Sequence, residues 1–289
     1  MYNVRVVRVG VSAVVLFLAS CAAESSGTSS GAVMRGRSSL DPPSAPVEDG
    51  LAVAPTHIAA ARVPGGRQVG HYDMSAQQGQ PYEVPPIVDG GGTAVSVLDP
   101  DAATLGDLNV LWVDNPDNSL YDGKYVLREP EIAAAVQSGL ILVLHDRFVE
   151  DAENNLPGAT GFNIVRDFTE PADINIRDGS TIVTKSLDNT SLDNGSFSSH
   201  GFALDSTLPA RAKLILSTTS SNHIVTFCYP VGRGAVIYSS IPLDFYLQGF
   251  GGEPLDTNMA KVYAPNVVSY ALAGACASRA PRPTPNLNP

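Results

Sequence analysis

The chain has 289 residues, and its 29 Asp and Glu residues outnumber its 18 Lys and Arg residues, which gives a formal net charge of −11 at pH 7. No cluster of basic residues interrupts this acidic balance, so we expect no nucleic-acid binding and no electrostatic attraction to a membrane surface. The length is sufficient for one sizeable α/β domain once the two ends of the chain, which differ in composition, are set aside.

Residues 1–20 have the pattern of a signal peptide. Two arginines precede an apolar stretch, 9–18, that is too short for a comfortable membrane-spanning helix. The stretch ends in Leu18-Ala19-Ser20-Cys21, which resembles the lipobox of bacterial lipoproteins, in which the cysteine is diacylated and becomes the new N-terminus. The alternative is an ordinary secretory signal with a chance cysteine. The small residues and the cysteine in register favour the lipoprotein.

Acylation of Cys21 predicts where the protein is located. Each methylene buried in lipid contributes about 0.8 kcal/mol, so several acyl chains hold a protein on a bilayer. We therefore expect an extracytoplasmic protein of the bacterial cell envelope, anchored in the lipid bilayer through Cys21. By resemblance to enterobacterial sorting, Ala22 favours the outer membrane if the cell is Gram-negative. Ser, Gly, Ala and Pro dominate 21–54, which we interpret as a flexible tether, and the Pro-rich segment 280–289 as a disordered tail.

The remaining residues, 55–279, begin with strands that alternate with helices. Apolar runs bounded by turn residues indicate the strands, and apolar residues at i,i+4 spacing indicate a helix. In chain order we predict strands at 67–74, 93–98 and 107–113, a short helix or turn at 85–92, and a helix at 127–138 with Glu129, Pro130 and Glu131 in its first turn. This alternation indicates βαβ units and a parallel sheet.

The strongest strand signal is 140–144, five consecutive aliphatic residues that follow a glycine and end in His145-Asp146. An apolar run without polar alternation predicts a strand buried on both faces of a parallel sheet. Ligands of open α/β sheets bind just past the carboxyl ends of such strands, where His145 and Asp146 stand. Side chains of adjacent strand residues point to opposite faces, so these two do not pair simply with each other. The alternative is a polar turn that caps the strand.

The second half of the domain is rich in loops and then returns to strands. We predict strands at 213–217, 224–229 and 235–240, of which the last two form a hairpin-like pair, and a final helix at 264–277. Two further candidate site residues lie in this half. His200 belongs to the polar loop Ser198-Ser199-His200-Gly201, which we expect to fold over the site with His200 facing His145. Asp244 follows the last strand, and we expect it to lie at the same opening as His145, at the carboxyl ends of the strands.

Two cysteines, Cys228 and Cys276, remain after Cys21 is assigned to lipid. An extracytoplasmic compartment is oxidising, so a disulfide between them is one expectation. It would tie a late strand to the end of the C-terminal helix. Two separate buried thiols are the alternative, and the spacing of the cysteines matches no metal motif.

The order of these elements resembles the class I glutamine amidotransferase-like fold, and within it the trehalose-utilisation (ThuA-like) branch. Asp107-Leu108 introduces a strand, a helix leads through a glycine into the apolar strand that closes in His145, and 232–240 reads like the branch's Gly-x-Gly-Arg-Val-x-Tyr-x-Ser strand. The resemblance covers roughly 67–275. It implies a flavodoxin-like three-layer α/β domain with a mostly parallel central sheet.

The chain departs from that family at the catalytic positions. Amidotransferases carry a nucleophilic cysteine in a Gly-x-Cys-x-Gly elbow, whereas the corresponding turn here reads Leu144-His145-Asp146-Arg147. Without a thiolate no glutaminyl thioester forms, so we expect no glutaminase activity. The family's His-x-Glu is also absent, and Pro242-Leu243-Asp244 stands where the trehalose-utilisation branch has Gly-His.

Two classes of function remain open besides a purely structural envelope role. The favoured hypothesis is a non-catalytic domain that binds a small ligand, a glycan or an envelope partner, because no complete set of catalytic residues replaces the missing nucleophile. The alternative is a hydrolase of sugars or envelope material that uses His145 with Asp146 or Asp244. Together with His200 these residues have the chemistry to hold a divalent metal, but no close His spacing supports this, and we predict no cofactor.

Overall fold

A computed structural model of the chain describes residues 67–74, 81–169, 173–193 and 197–277. The predicted signal peptide at 1–20, the lipidation residue Cys21, the tether at 21–54 and the tail at 280–289 lie outside the described residues. In the described ranges, no helix is long and apolar enough to cross a membrane.

The described strands form one ten-stranded sheet. The strands are β1 (Gln68–Asp73), β2 (Thr93–Ser96), β3 (Val110–Asn115), β4 (Ile141–Asp146), β5 (Ile164–Arg166), β6 (Asn175–Ile176), β7 (Gly201–Leu204), β8 (Lys213–Ser217), β9 (His223–Val231) and β10 (Gly234–Ser239). Five of them run parallel in the order β2-β1-β3-β4-β10, which is the flavodoxin-like strand order. Antiparallel strands β9, β7 and β5 extend the sheet, and β8 and β6 branch from β9. The predicted fold class, α/β with a mostly parallel central sheet, is confirmed.

Strand β4 occupies the centre of the parallel part, between β3 and β10. Each of its residues, from Ile141 to Asp146, is buried, as an apolar run without alternation predicts. The strand extends two residues further than the aliphatic run, so His145 and Asp146 are its last two residues. The polar pair is therefore held inside the sheet's hydrogen-bond ladder.

Helices cover both faces of the sheet. They are α1 (Val84–Asp89), α2 (Ala102–Gly106), α3 (Gly123–Gln137), α4 (Leu243–Leu247), α5 (Leu255–Asn258) and α6 (Ala264–Leu272). On one face Ile87 of α1 and Val267 of α6 belong to the same core as Trp112 of β3. On the other face Ile132 of α3 packs in the core that contains Leu111 of β3. Adjacent residues of one strand thus serve two cores, which gives three layers.

Helix α3 begins earlier than predicted. Asp122 is its N-cap, and its side chain accepts a hydrogen bond from the backbone N–H of Lys124. Pro130 therefore lies inside the helix, and the expectation that it belongs to the first turn is wrong. Proline removes one helical hydrogen bond. The buried side chains of Tyr125 and Ile132, on either side of Pro130, hold the helix against the sheet.

The C-terminal helical region starts before the predicted residue 264 and ends before residue 277. Helix α5 continues through a wider turn, Met259–Tyr263, in which hydrogen bonds run from i to i+5, directly into α6. Pro265 stands in the first turn of α6 and cannot donate a backbone hydrogen bond to the preceding turn. Local adjustment of the helix at this position is the expected response to a proline.

The hairpin of β9 and β10 agrees with the sequence pattern. Its turn contains Gly232, whose φ of +58° lies in the left-handed region. A Cβ atom at this position would also lie 2.7 Å from the carbonyl oxygen of Gln137, so only glycine fits against the end of α3.

A disulfide joins Cys228 of β9 to Cys276, which follows α6. The two cysteines are separated by 48 residues in the sequence, and Cys228 is fully buried in the core. The bond therefore ties the end of the last helical region to the middle of the sheet. Of the two alternatives in the sequence, the structure has the disulfide and not two separate thiols.

Replacement of both cysteines, Cys228→Ala with Cys276→Ala, is expected to lower the free energy of unfolding by about 4 kcal/mol, the chain-entropy value for closing a loop of this length. Urea denaturation of the full chain with and without a reductant measures the effect. The parent should lose stability on reduction, and the double variant should not respond to the reductant. Equal unfolding midpoints for the oxidised parent and the variant would contradict the prediction.

Candidate functional site: a cleft above a buried acidic cluster

Polar side chains collect at the carboxyl ends of the parallel strands. These residues are Asp73 at the end of β1, Asp114 and Asn115 at the end of β3, His145 and Asp146 at the end of β4, and Ser239 at the end of β10. All of them are buried. The position is the one at which open α/β sheets bind ligands, and the sheet itself brings these residues together because the strands are parallel and in register.

Asp146 points to the face that packs against α3 and is fully satisfied there. Its carboxylate accepts hydrogen bonds from the hydroxyls of Tyr121 at 2.5 Å and Tyr238 at 3.2 Å, from the side-chain amide of Asn115 at 3.1 Å and from the backbone N–H of Phe148 at 3.0 Å. Burial raises the pKa of Asp146 in spite of these donors. The arrangement uses up the lone pairs of the carboxylate and makes Asp146 a structural residue.

His145 points to the opposite face. Its ring lies 5.1 Å from that of Trp112 and 5.8 Å from that of Tyr263, between centroids. Its Nδ1 is 3.6 Å from Oδ1 of Asp114, which is too long for a hydrogen bond. Neither ring nitrogen has a hydrogen-bond partner among the described residues. Burial lowers the pKa of His145 to about 3, so the ring is neutral at physiological pH.

A cluster of buried carboxyl groups surrounds this end of the sheet on the same face as His145. We call it the acidic cluster, and its members are Asp73, Glu83, Asp114 and Asp244. Burial is the main cause that raises the pKa of Glu83 and Asp114, and the negative charges of Asp73 and Asp244 add to the rise at both groups. Burial also raises the pKa of Asp244, to about 6, against the opposing effect of Arg147.

One indole N–H donor and one imidazole accompany the acidic cluster. Nε1 of Trp112 donates to Oδ2 of Asp114 at 2.8 Å. Nδ1 of His71 lies 3.6 Å from Oε2 of Glu83. Burial lowers the pKa of His71. The sequence analysis did not single out Asp73, Glu83, Asp114 or His71. A signal was available for two of them, because Asp73 lies near the end of the predicted strand 67–74 and Asp114 directly follows the predicted strand 107–113.

Two adjoining cavities form a cleft above the acidic cluster. One encloses about 400 Å³ and the other about 120 Å³, and both are lined by Arg147, Phe245 and Phe250. The larger is completed by Pro116, Asp117, Asp244 and Gln248. The smaller is completed by Phe197, His200, Pro242, Tyr246 and Gly251. Asp244 is the member of the acidic cluster that reaches the cleft.

Arg147 lines both cavities of the cleft, and its polar contacts with the protein are long. Its Nη1 lies 4.0 Å from Oδ2 of Asp244 and 3.5 Å from the carbonyl oxygen of Pro116. Its guanidinium carbon lies 5.5 Å from the centre of the Phe245 ring, a cation–π distance. Arg147, which directly follows His145-Asp146, was not singled out from the sequence, and neither were Phe245 and Phe250.

His200 contacts Arg147 and not His145. Its Nδ1 donates to the backbone carbonyl of Arg147 at 2.8 Å, and its ring packs against Phe168 at 5.0 Å and Phe197 at 6.2 Å. Burial lowers the pKa of His200 to about 4, and the positive charges of two arginines contribute. The loop does fold over the candidate site, but the expectation that His200 faces His145 is wrong, because the imidazole is fixed to the backbone beyond the end of β4.

The four candidate residues are therefore not assembled into one site. Asp146 lies on the α3 face, His145 is enclosed on the opposite face, and only His200 and Asp244 line the cleft. In the part of the chain that the structure describes, no group of three or more His, Cys, Asp or Glu side chains is arranged to hold a metal ion. Among the four residues considered as metal ligands, the pleat of β4 sends the side chains of His145 and Asp146 to opposite faces of the sheet.

Comparison with known proteins gives similarity of fold only. No protein-family model matches the chain, and no curated protein matches it. Solved structures that resemble it include a protein described as part of a GMP synthase from Thermoplasma acidophilum (TM-score 0.48, 11% identity, 72% of this chain and 93% of that chain). A glutamine amidotransferase from Thermotoga maritima has a TM-score of 0.44 and 10% identity over 72% of this chain and 97% of its own. A carbohydrate deacetylase has a TM-score of 0.41 and 11% identity over 68% of this chain and 32% of its own.

Replacement of His145 by Gln tests its burial as a neutral ring. The unfolded chain protonates this histidine near pH 6.5 and the folded chain only near pH 3, so its contribution to stability is present above pH 6.5 and is lost as the pH falls. Between pH 6 and pH 4 the parent should lose about 1.4 kcal/mol per pH unit through His145, and His145→Gln should lose correspondingly less. Urea unfolding at several pH values measures the slopes.

The variant His223→Gln, at a partly exposed histidine, is the control for the urea unfolding of His145→Gln. Parent and His145→Gln curves with the same pH slope would show that His145 is accessible to protons in the folded chain, and the account of its burial would then be wrong.

Proposed function

We propose that the chain is a lipid-anchored protein of the bacterial cell envelope whose α/β domain binds a small glycan without catalysing a reaction. The observation that carries the proposal is the cleft, in which Arg147, Phe245 and Phe250 line two adjoining cavities beyond the carboxyl ends of the parallel strands. Because its sequence motifs resemble those of the trehalose-utilisation branch of the amidotransferase-like fold, we propose that the domain is related to that branch.

The lining of the cleft suits a sugar ring. Phe250 is 63% exposed, and its ring centre lies 5.5 Å from that of Phe245, so the two rings offer apolar faces at the opening. Asp117, Gln248 and Asp244 supply hydrogen-bonding groups in the larger cavity. Apolar walls with a few placed polar groups are the usual composition of small-molecule sites.

Binding is favoured over catalysis by where the described cysteines, His145 and Asp146 lie. The two cysteines in the described residues are joined in the disulfide, so that part of the chain offers no free thiol for the chemistry of amidotransferases. His145 and Asp146 are both buried, on opposite faces of the sheet, and neither lines the cleft. A nucleophile or base must reach the reacting atom, which these two side chains do not.

The anchor follows from the sequence around Cys21. An acylated Cys21 would hold the domain at the surface of a bilayer by a chain of more than 30 residues, the predicted tether. The disulfide is consistent with an oxidising, extracytoplasmic compartment. A domain in that location meets the glycans and proteins of the envelope as its natural partners.

The change Phe250→Ala is expected to weaken sugar binding about tenfold, because burial of an aromatic side chain against a ligand is worth about 1.5–3 kcal/mol and a tenfold change is about 1.4 kcal/mol. Titration calorimetry with the full chain and N-acetylglucosamine, N-acetylmuramic acid, glucose and glucuronic acid measures the affinities. Leu98→Ala is the matched control, since Leu98 is equally exposed at 63% and does not line the cleft. Equal affinities of the parent and Phe250→Ala, or no binding by the parent, would contradict the proposal.

The change Cys21→Ser is expected to abolish lipidation. In cells grown with an alkyne-labelled fatty acid, the parent should carry the label and sediment with membranes, whereas the variant should carry none and appear in the soluble fraction. Retention of the label on Cys21→Ser would assign the lipid to another residue. An unlabelled parent would favour the ordinary secretory signal.

A further inference from the structure

We infer that the cleft selects glycans that carry a carboxylate, which replaces Asp244 as the partner of Arg147 and leaves Asp244 to take up a proton. The inference rests on the proposed function and deepens it: it names the class of ligand and couples binding to pH. Two observations carry it, which are the loose contacts of Arg147 and the position of Asp244 over the acidic cluster.

The guanidinium of Arg147 has donors to spare. Its contacts with Asp244 at 4.0 Å and with the Pro116 carbonyl at 3.5 Å are both longer than a charge-assisted hydrogen bond of about 2.7–2.9 Å. Its Nε has no hydrogen-bond partner among the described residues. The planar guanidinium matches a carboxylate in two parallel hydrogen bonds, a geometry that Asp244 does not achieve. A ligand carboxylate that enters the larger cavity can therefore bind Arg147 better than Asp244 does.

Two arginines lie at this cleft: Arg147 lines both cavities, beside Asp117 and Asp244 in the larger one, and Arg166 lies next to it. Arg166 is stacked between the rings of Phe148 and Phe168, at 5.3 Å and 5.2 Å from their centres, and its Nη2 donates to both oxygens of Asn118. Both Arg166 and Arg147 lie close enough to His200 to lower its pKa. Arg166 lines neither cavity, and its Nη1 lies 3.7 Å from Oε2 of the exposed Glu150. Arg147 is therefore the cation that an anionic ligand in the cleft would meet, and its charge favours such a ligand over a neutral one.

Asp244 faces an environment that is poor for a carboxylate. The charged and titratable groups around it are, from the elements packed against α4 and from the lining of the larger cavity, Asp73, Glu83, Asp114, Asp117, His145, Arg147, Asp256, Lys261 and Tyr263. Lys261 lies 3.4 Å from Asp89. Arg147 is the cation that holds down the pKa of Asp244, which burial and Asp73 raise to about 6. When a ligand carboxylate takes over Arg147, that opposing effect is screened. The pKa of Asp244 then rises further, and near neutral pH the carboxylate binds a proton from solvent.

The sign of the pH dependence follows from this exchange. Above pH 6 the complex holds one more proton than the free protein, so the dissociation constant falls as the pH is lowered, by up to tenfold per pH unit. Below about pH 6 the free protein already carries the proton on Asp244, and the dependence flattens. The carboxylate of the sugar itself, with a pKa near 3.5, stays ionised throughout this range.

The test is titration calorimetry of the full chain with matched pairs of sugars that differ by a carboxylate: N-acetylmuramic acid with N-acetylglucosamine, glucuronic acid with glucose, and galacturonic acid with galactose. At pH 6 the acidic member of at least one pair should bind at least tenfold more tightly than the neutral member. At pH 7.5, titrations in buffers with different ionisation enthalpies should report uptake of up to one proton for the acidic member only.

Three variants assign the effect to residues, and the two Asp→Asn changes among them are isosteric. Arg147→Gln should reduce the ratio of acidic to neutral affinity to near one. Asp244→Asn should keep the preference for the acid but bind with no pH dependence and no proton uptake. Asp99→Asn removes a carboxylate from another arginine pair, with Arg128, outside the cleft, and should behave as the parent does. Thermal melting checks that each variant is folded.

The outcomes separate the two proposals. Neutral and acidic sugars that bind the parent equally would overturn the present inference and leave glycan binding intact. A parent that binds none of the six sugars would overturn both. Proton uptake that persists in Asp244→Asn would place the proton elsewhere. The ¹³C chemical shift of the Asp244 carboxyl group in the parent, followed during titration at pH 7.5, gives the same answer without a variant: a shift toward the protonated form supports the exchange, and no shift overturns it.

Discussion

Strand β4 is buried on both faces, and this constraint determines the chemistry at its end. Because β4 lies between β3 and β10, neither His145 nor Asp146 can reach solvent, and the pleat of the strand sends them to opposite cores. An ionised carboxylate is tolerated in such a position only if donors satisfy it, and four donors converge on Asp146. The imidazole on the other face has no such partners among the described residues and remains neutral. The two candidate site residues at the end of β4 are therefore enclosed in separate cores, and neither lines the cleft.

The acidic cluster is the consequence of the same architecture at the neighbouring strands. Asp73 and Asp114 end strands whose side chains alternate into the same core as His145, and Glu83 and Asp244 close over them from the turn before α1 and from α4. Burial, with repulsion between the carboxylates, raises the pKa of Glu83, Asp114 and Asp244. Asp244 connects this cluster to the cleft, since it lines the larger cavity and faces a cation, Arg147. In the exchange that we infer, ligand and proton meet at this side chain.

The fold shares its parallel part with a widespread architecture, and that architecture does not specify the residues at the strand ends. The flavodoxin-like strand order places the carboxyl ends of β1, β3, β4 and β10 at one edge whatever residues they carry. Here that edge carries carboxylates, an enclosed histidine and an arginine, and the described part of the chain has both of its cysteines in a disulfide. Function therefore has to be argued from the residues of the cleft, on which the proposal of glycan binding rests.

The sequence by itself determined the elements with strong periodicity: β1, β3, β4, β8, the β9–β10 hairpin and the parallel core, because long apolar runs can be buried in only a few ways. It also indicated the edge of the sheet where a site lies. It missed the short strands β5, β6 and β7, whose residues carry no period; β7 begins at Gly201, which fits against Val165 of β5 because it has no side chain. It misplaced the start of α3, since the N-cap Asp122 outweighs the proline signal.

Only the tertiary structure decided which candidates meet. It separated His145 from Asp146 and His200, because a side chain's face and its exposure depend on neighbours distant in the sequence. It brought Asp244 to Arg147 and placed Phe245 and Phe250 around them, across nearly one hundred residues of chain. Local patterns specify what a residue can do, whereas the packing of the sheet and its loops decides whether water, a proton or a ligand can reach it.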